Sequence, residues 1–215
     1  MKNPFDPGYY SETELTGFGF KQVGTNVRIA KNCTIIGLSN ISLGSNVRID
    51  GYCTIVADGS SQLSIGSFIH IGAGCYLSAG DGIVMEDFCG LSQGVRIYSR
   101  SDDYTGRYLT NPTVPEKYTG VTRGLVTLKR HVIIGSGTVI LPRVTIGEGA
   151  SVGALSLVTR DLEAWGVFTG SPARKLKDRS RHLLELESDF LRELANPGSA
   201  PAESAAPPAE KNRRP

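Results

Sequence analysis

From Ile134 to Thr159 the chain reads IGSGTVILPRVTIGEGASVGALSLVT, and an aliphatic residue returns at every sixth position: Ile134, Ile140, Ile146, Val152 and Val158. A period of six fits neither the 3.6-residue stripe of an amphipathic helix nor the simple alternation of a strand. Extended backwards, the same register divides the chain into eighteen-residue blocks of three hexads, at 23–40, 43–60, 65–82, 85–102, 128–145 and 146–163. The lead residues are Val23, Ile29, Ile35; Leu43, Ile49, Ile55; Ile65, Ile71, Leu77; Met85, Leu91, Ile97; Leu128, Ile134, Ile140; and Ile146, Val152, Val158. All are apolar.

The fifth hexad position is small or β-branched at sixteen of eighteen sites, with Asp81 and Leu162 as the exceptions. Glycine directly follows the lead at Gly24, Gly44, Gly66, Gly72, Gly135, Gly147 and Gly153, where we expect it to supply a positive-φ turn. The physical reading is a coil with three flat sides. Each hexad makes one short strand and one corner, the lead points to the axis, and the small fifth residue fills the remaining interior. One coil cannot bury its apolar face alone, so the coils must stack, and six at strand spacing give a prism about 29 Å long. Extra residues fall at 41–42, 61–64, 83–84 and 103–127, each after a third hexad, so every insertion should leave from one corner. The last is too long to be a passive connection.

The flanks differ from the repeat. Residues 1–22 carry Phe5, Tyr9, Tyr10, Leu15, Phe18 and Phe20, which suit a cap over the open end of the coil. In segment 164–195 we expect a helix from Arg174, because Leu183, Leu186, Phe190 and Leu194 recur at helical spacing, with Pro197 as its stop. Residues 196–215 are Pro- and Ala-rich without core formers and are expected to be disordered.

Composition narrows the function. A net charge of +2 argues against phosphate-driven nucleic-acid binding. No apolar run approaches 18 residues, so no membrane span is expected, and MKNPFDPGYY lacks the apolar core of a signal peptide, which makes the cytoplasm the default location. Cys33, Cys53, Cys75 and Cys89 all occupy fifth positions and read as small buried filler; no CxxC spacing suggests a metal site or redox pair. His182 reads as a surface residue of the C-terminal helix, and His70 as an outward-facing one.

The hexads, the long loop after the fourth coil, and the closing motif GSPARKLK resemble the hexapeptide-repeat acyltransferases, in particular the sugar O- and N-acetyltransferases related to galactoside and maltose O-acetyltransferase. Over the whole chain, SDDYTGRYLTNPTVPEKY and GALSLVTRDLEAWG are similar to acetyltransferases of bacterial surface-polysaccharide clusters, including those of lipopolysaccharide biosynthesis and those acting on nucleotide-linked amino sugars. The resemblance covers about residues 20–180. It implies an all-β, left-handed parallel β-helix, a homotrimer, acetyl-CoA as donor, no metal, and active sites between neighbouring subunits. It also implies coenzyme A contacts at Ser136, Ala154, Thr159, Arg160, Arg174 and Lys177. Charge agrees: Arg174, Lys175, Lys177, Arg179 and Arg181 put five cations into eight residues, although a solvated first turn of a helix would look the same.

The chain also departs from the family pattern. Where its best-known members place a catalytic His, this sequence has Asp102, and the family's Trp in the next coil is replaced by Ile133. Galactoside is therefore not the expected acceptor. Acyl transfer needs a base near the attacking group. His131 is the candidate, oriented by Asp102 or Asp103; alternatively Asp102 acts directly, or the two aspartates only cap the loop. Within the excursion Tyr104, Arg107 and Tyr108, with Tyr118 and Arg123, suit stacking on a sugar or nucleotide and pairing with phosphate. Two other readings compete. A zinc carbonic anhydrase on the same fold would need three convergent histidines, and His70, His131 and His182 have the wrong spacing. A non-catalytic scaffold would have no reason to keep loop, cations and closing motif together.

Overall fold

The computed structural model describes residues 3–59 and 61–196. It forms a three-sided parallel β-helix. The first face stacks strands led by Val23, Leu43, Ile65, Met85, Leu128 and Ile146, the second those led by Ile29, Ile49, Ile71, Leu91, Ile134 and Val152, and the third those led by Ile35, Ile55, Leu77, Ile97, Ile140 and Val158. No sheet skips a coil, so all four insertions leave from the corner between the third and first faces. The leads other than Val23 and Ile35, which pack against them partly buried, form one continuous buried core with the fifth-position residues Val27, Cys53, Ile69, Val95 and Val132.

Two features of the repeat differ from expectation. The glycines after the lead do not have positive φ. The left-handed residues come two positions later and are mostly not glycine: Asn26, Asn46, Phe68, Phe88, His131, Tyr52, Leu155 and Arg143. What the post-lead position requires is room. A Cβ at Gly44 would lie 2.6 Å from the carbonyl carbon of Gly66 in the next coil, and one at Gly135 would lie 2.4 Å from the amide nitrogen of Ala154. The second difference is at Leu162. It pairs with Ile146, and Phe168, six residues on, pairs with Val152. Leu162 is therefore the lead of a seventh, partial coil. The sixth ends two residues early, which explains why so large a residue stands where a small one was expected. Asp81, the other exception, lies at the insertion corner and is ion-paired to Arg100.

The cysteines form a ladder. Cys33, Cys53 and Cys75 donate to the carbonyls of Asp50, Gly72 and Ser92 in the next coil at 3.1–3.2 Å, and Cys89 donates to Lys129 at 3.1 Å. All four are free thiols, and burial pushes Cys89 up to about 12.

At the N-terminus, helix α1 (Glu12–Gly17) starts with a reciprocal capping box between Ser11 and Glu14. Its Leu15 is 1 % exposed and joins the core, with Tyr10 and Phe20 packed alongside. At the other end the expected helix from Arg174 is instead a strand, Arg174–Asp178, antiparallel to Gly166–Thr169. The intervening turn carries Gly170 and a cis Ser171–Pro172 bond. Helix α2 spans Leu183–Ala195 and belongs to a second compact unit that begins at Ser180. The expected disorder of the tail falls, apart from Asn196, outside the described residues, as does Pro197. No described helix is long and apolar enough to cross a membrane.

Candidate active site

The excursion shapes a groove of about 770 Å³ on the third face. Its floor is Tyr76 and Ser78 of coil three, and its walls are Arg100–Asp102 with Asn111, Glu116, Thr119 and Arg123 among the loop residues. The loop leaves and returns as a short antiparallel ladder, Arg100–Ser101 against Thr122–Arg123. A charge cluster fixes this base: Arg100 pairs with Asp81, and Arg123 reaches Asp81 at 3.9 Å and Glu116 at 2.6 Å. Asp102 lines the groove and accepts from the Asn111 backbone at 3.3 Å. Asp103 accepts from the Thr105 hydroxyl at 2.8 Å and the Arg107 amide at 3.1 Å, and these donors hold its carboxyl below the usual range. Asp103 thus organises the turn.

Of the other loop candidates, Arg123 lines the groove, whereas Tyr104, Arg107, Tyr108 and Tyr118 lie apart from its lining. Tyr104 is 91 % exposed, Arg107 is exposed, and the ring of Tyr108 packs over Gly120, where no side chain would fit. Tyr76, Ser78 and Arg100 are groove residues that the sequence reading missed. The available signal was their outward register on the third face, one coil before and alongside the excursion.

His131 lies elsewhere. It occupies the corner between the first and second faces, while Asp102 is at the opposite end of the first face. Within one protomer the structure does not bring them together. His131 is 7 % exposed and stacks on Phe88, ring centroids 5.1 Å apart, and Phe88 stacks on Phe68 at 4.8 Å. Burial, with Arg130 and Arg179 nearby, lowers the His131 pKa from its ordinary value against the opposing pull of Glu148. The shift favours the neutral ring.

A third region follows the corner between the second and third faces. Ser92 and Gln93 of coil four, Ser136 of coil five and Ala154 of coil six stack along it; the Ser136 hydroxyl donates to Gln93 at 3.3 Å, and the Leu155 amide to the Ser136 carbonyl at 2.8 Å. Thr159 and Arg160 are exposed just beyond Val158. The closing strand presents Arg174 and Lys177. Its Lys175 is held by Glu163 at 2.5 Å and Asp178 at 2.7 Å, whereas among the described residues no carboxylate pairs with Arg160, Arg174 or Lys177. Arg179 anchors the strand by donating to the carbonyls of His131 and Gly149 at 2.8 and 2.9 Å. Small side chains leave space for a pantetheine arm along this corner, and unpaired cations beside it suit phosphates. Among the described residues no three His, Cys, Asp or Glu side chains converge on a point that would hold a metal ion.

A hexad coil with a one-corner excursion and a cationic closing strand defines an acyltransferase of the hexapeptide-repeat class. Comparison with known proteins narrows this. The dTDP-4-amino-4,6-dideoxy-D-glucose acyltransferase of Escherichia coli is 43 % identical over 182 residues, covering 85 % of this chain and 94 % of that protein. AntD, an N-acyltransferase from Bacillus cereus solved with dTDP and 3-hydroxybutyryl-CoA, superposes with a TM-score of 0.83 at 42 % identity over 87 % of this chain and 98 % of that one. The chain belongs to this family of amino-sugar nucleotide acyltransferases. A maltose O-acetyltransferase from Clostridium difficile, 21 % identical with a TM-score of 0.54 over 84 % of this chain and 79 % of that one, shares the fold. No protein-family model matches the chain.

Proposed function

We propose that the protein transfers a short acyl group, acetyl in the reading from sequence, from acyl-coenzyme A to the amino group of a dTDP-linked 4-amino-4,6-dideoxy sugar. The observation that carries this is the near full-length similarity to AntD, which has also been solved with dTDP-4-amino-4,6-dideoxyglucose and coenzyme A bound, at 42 % identity over 98 % of that chain. Solved AntD variants replace a serine and an aspartate ten positions apart. Ser92 and Asp102 repeat that spacing here, on the coil that runs into the excursion.

In this reading Asp102 is the base. The acceptor arrives as an ammonium ion and gives a proton to Asp102, whose environment in the groove leaves its carboxylate accessible. The neutral amine attacks the thioester carbonyl carbon, forming the new N–C bond and an oxyanion. Collapse breaks the C–S bond as the attacking nitrogen gives up its second proton to the departing coenzyme A thiolate, and the proton held by Asp102 is released to solvent. Ser92, at the other end of the third face from Asp102, supplies a hydroxyl for orientation from a neighbouring protomer. Arg160, Arg174 and Lys177 hold the coenzyme phosphates, and Ser136, Ala154 and Thr159 border its arm.

Asp102 and His131 occupy opposite ends of one face, so both serve one acceptor only where two protomers lie side by side. We therefore read the active form as a homotrimer with sites between protomers, in which His131 is a second, neutral acceptor and Tyr104, Arg107 and Tyr108 reach a neighbour's substrate. The product suits lipopolysaccharide or other surface-polysaccharide assembly in the cytoplasm. Asp102→Asn should lower kcat by ~10²-fold or more with little change in the KM for acyl-CoA, and Arg174→Ala with Lys177→Ala should raise that KM. An Asp102→Asn enzyme with unchanged kcat would remove Asp102 from the chemistry.

A further inference from the structure

The excursion that carries Asp102 stands on very little backbone pairing. Its two feet, Arg100–Ser101 and Thr122–Arg123, form an antiparallel ladder of two residue pairs, too short to be stable in water by itself. Asp102 is the next residue beyond the ladder. Among the described residues its carboxylate accepts a single hydrogen bond, from the Asn111 amide at 3.3 Å. Its place over the groove is therefore inherited from the feet of the loop.

The pairing of the feet is also electrostatically adverse. Arg100 and Arg123 are direct partners across the ladder, and like charges in that relation destabilise it. One anion on coil three answers both. The Asp81 carboxylate pairs with Arg100 and reaches Arg123 at 3.9 Å. Glu116 pairs with Arg123 at 2.6 Å, but it belongs to the loop and so cannot tie the loop to the coil. Asp81 is itself held in place. Its amide donates to the hydroxyl of the buried Ser99 at 2.8 Å, and that hydroxyl donates to the Ser78 carbonyl at 2.8 Å. Beside it, Gly80 is the bed on which Arg100 lies: a Cβ there would be 2.6 Å from the Arg100 Nε, and the guanidinium donates to the Gly80 carbonyl. Arg143 of coil five anchors the return foot from the other side, its Nε donating to the Arg123 carbonyl at 2.7 Å. Asp81 is the one charged residue among the fifth hexad positions, so its carboxyl is there for these partners and not for the interior.

We propose that Asp81 is a positioning residue for acyl transfer: its carboxylate, set between the two arginines at the feet of the excursion, holds Asp102 in place over the groove. The proposal rests on the reading of Asp102 as the base. Asp81 touches neither substrate and acts only through the loop. Its ion pairs are partly exposed and add little to global stability. What they fix is geometry, and a small displacement of a reacting group is costly in rate.

The test is a double-mutant cycle of Asp81→Asn and Asp102→Asn in the full-length protein, read as kcat and KM with acetyl-CoA and dTDP-4-amino-4,6-dideoxyglucose. Asp81→Asn keeps the shape of the side chain and removes its charge. It should lower kcat by ~10-fold or more while the KM for acetyl-CoA and the Tm stay unchanged. Because Asp81 works through Asp102, the double variant should be little slower than Asp102→Asn alone. A double variant slower by the product of the two single losses would show that Asp81 acts independently of Asp102, and would overturn the inference. So would an Asp81→Asn enzyme at full speed, or one whose Tm collapses, since the role would then be absent or general to the coil; the reading of Asp102 survives both results. If Asp102→Asn itself keeps the normal kcat, that reading falls and takes this inference with it. Absence of turnover in the unsubstituted protein would remove the acceptor reading and both assignments together.

Discussion

His131 shows how one corner position is used for packing and charge together. It is left-handed at φ +61, stacked on Phe88, and its carbonyl accepts from Arg179. Burial and two neighbouring arginines lower its pKa below the ordinary 6.5. The folded state therefore binds fewer protons there than the unfolded chain as pH falls through and below that value. Stability is then full above about 6.5 and declines as the solution is acidified, by at most ~1.4 kcal/mol per pH unit for a single proton. His131→Asn keeps a residue that tolerates left-handed backbone but removes the titration. Urea unfolding at pH 7.5 and 5.5 should show the unsubstituted protein losing more stability than the variant. Equal losses would mean that His131 is not held neutral by the fold.

The hexad as an element has two distinct uses for glycine, and they are separable. The post-lead glycines make room for the next coil; the corner glycines accommodate backbone twist. Gly44→Ala places a carbon 2.6 Å from the backbone of Gly66, so it should cost ~1–3 kcal/mol through overpacking. Gly74, at φ +70, has nothing within 4 Å of its would-be Cβ, and Gly74→Asn should cost less than Gly44→Ala. Denaturation midpoints measure both, and the reverse order would contradict the assignment. The lead positions were legible in the sequence because they repeat one local rule many times. Leu162 and the glycines were misjudged because a shortened hexad and the approach of the next coil are properties of stacking. At Arg174–Asp178 the helical apolar spacing is absent, since it begins only at Leu183, and the Gly–Ser–Pro turn before the strand is a hairpin signal.

For the whole molecule, the legible part of the site was the position of the interruption and the presence of cations near the closing motif. Asp102 was visible as the residue at the point where coil four enters the loop. Its groove partners Tyr76 and Ser78 were not, because they come from the preceding coil and meet the loop only once it folds back. In the proposed trimer the relation of Asp102 to His131 would depend on how protomers adjoin, which no hexad pattern encodes. The central claim, transfer to nitrogen on a dTDP sugar, is tested most directly by coenzyme A thiol release with two acceptors that differ at one atom, dTDP-4-amino-4,6-dideoxyglucose and its 4-hydroxy counterpart. Rapid release with the amine and background release with the hydroxyl is the predicted result; equal release with both, or none with the amine under any short-chain acyl-CoA, would contradict it.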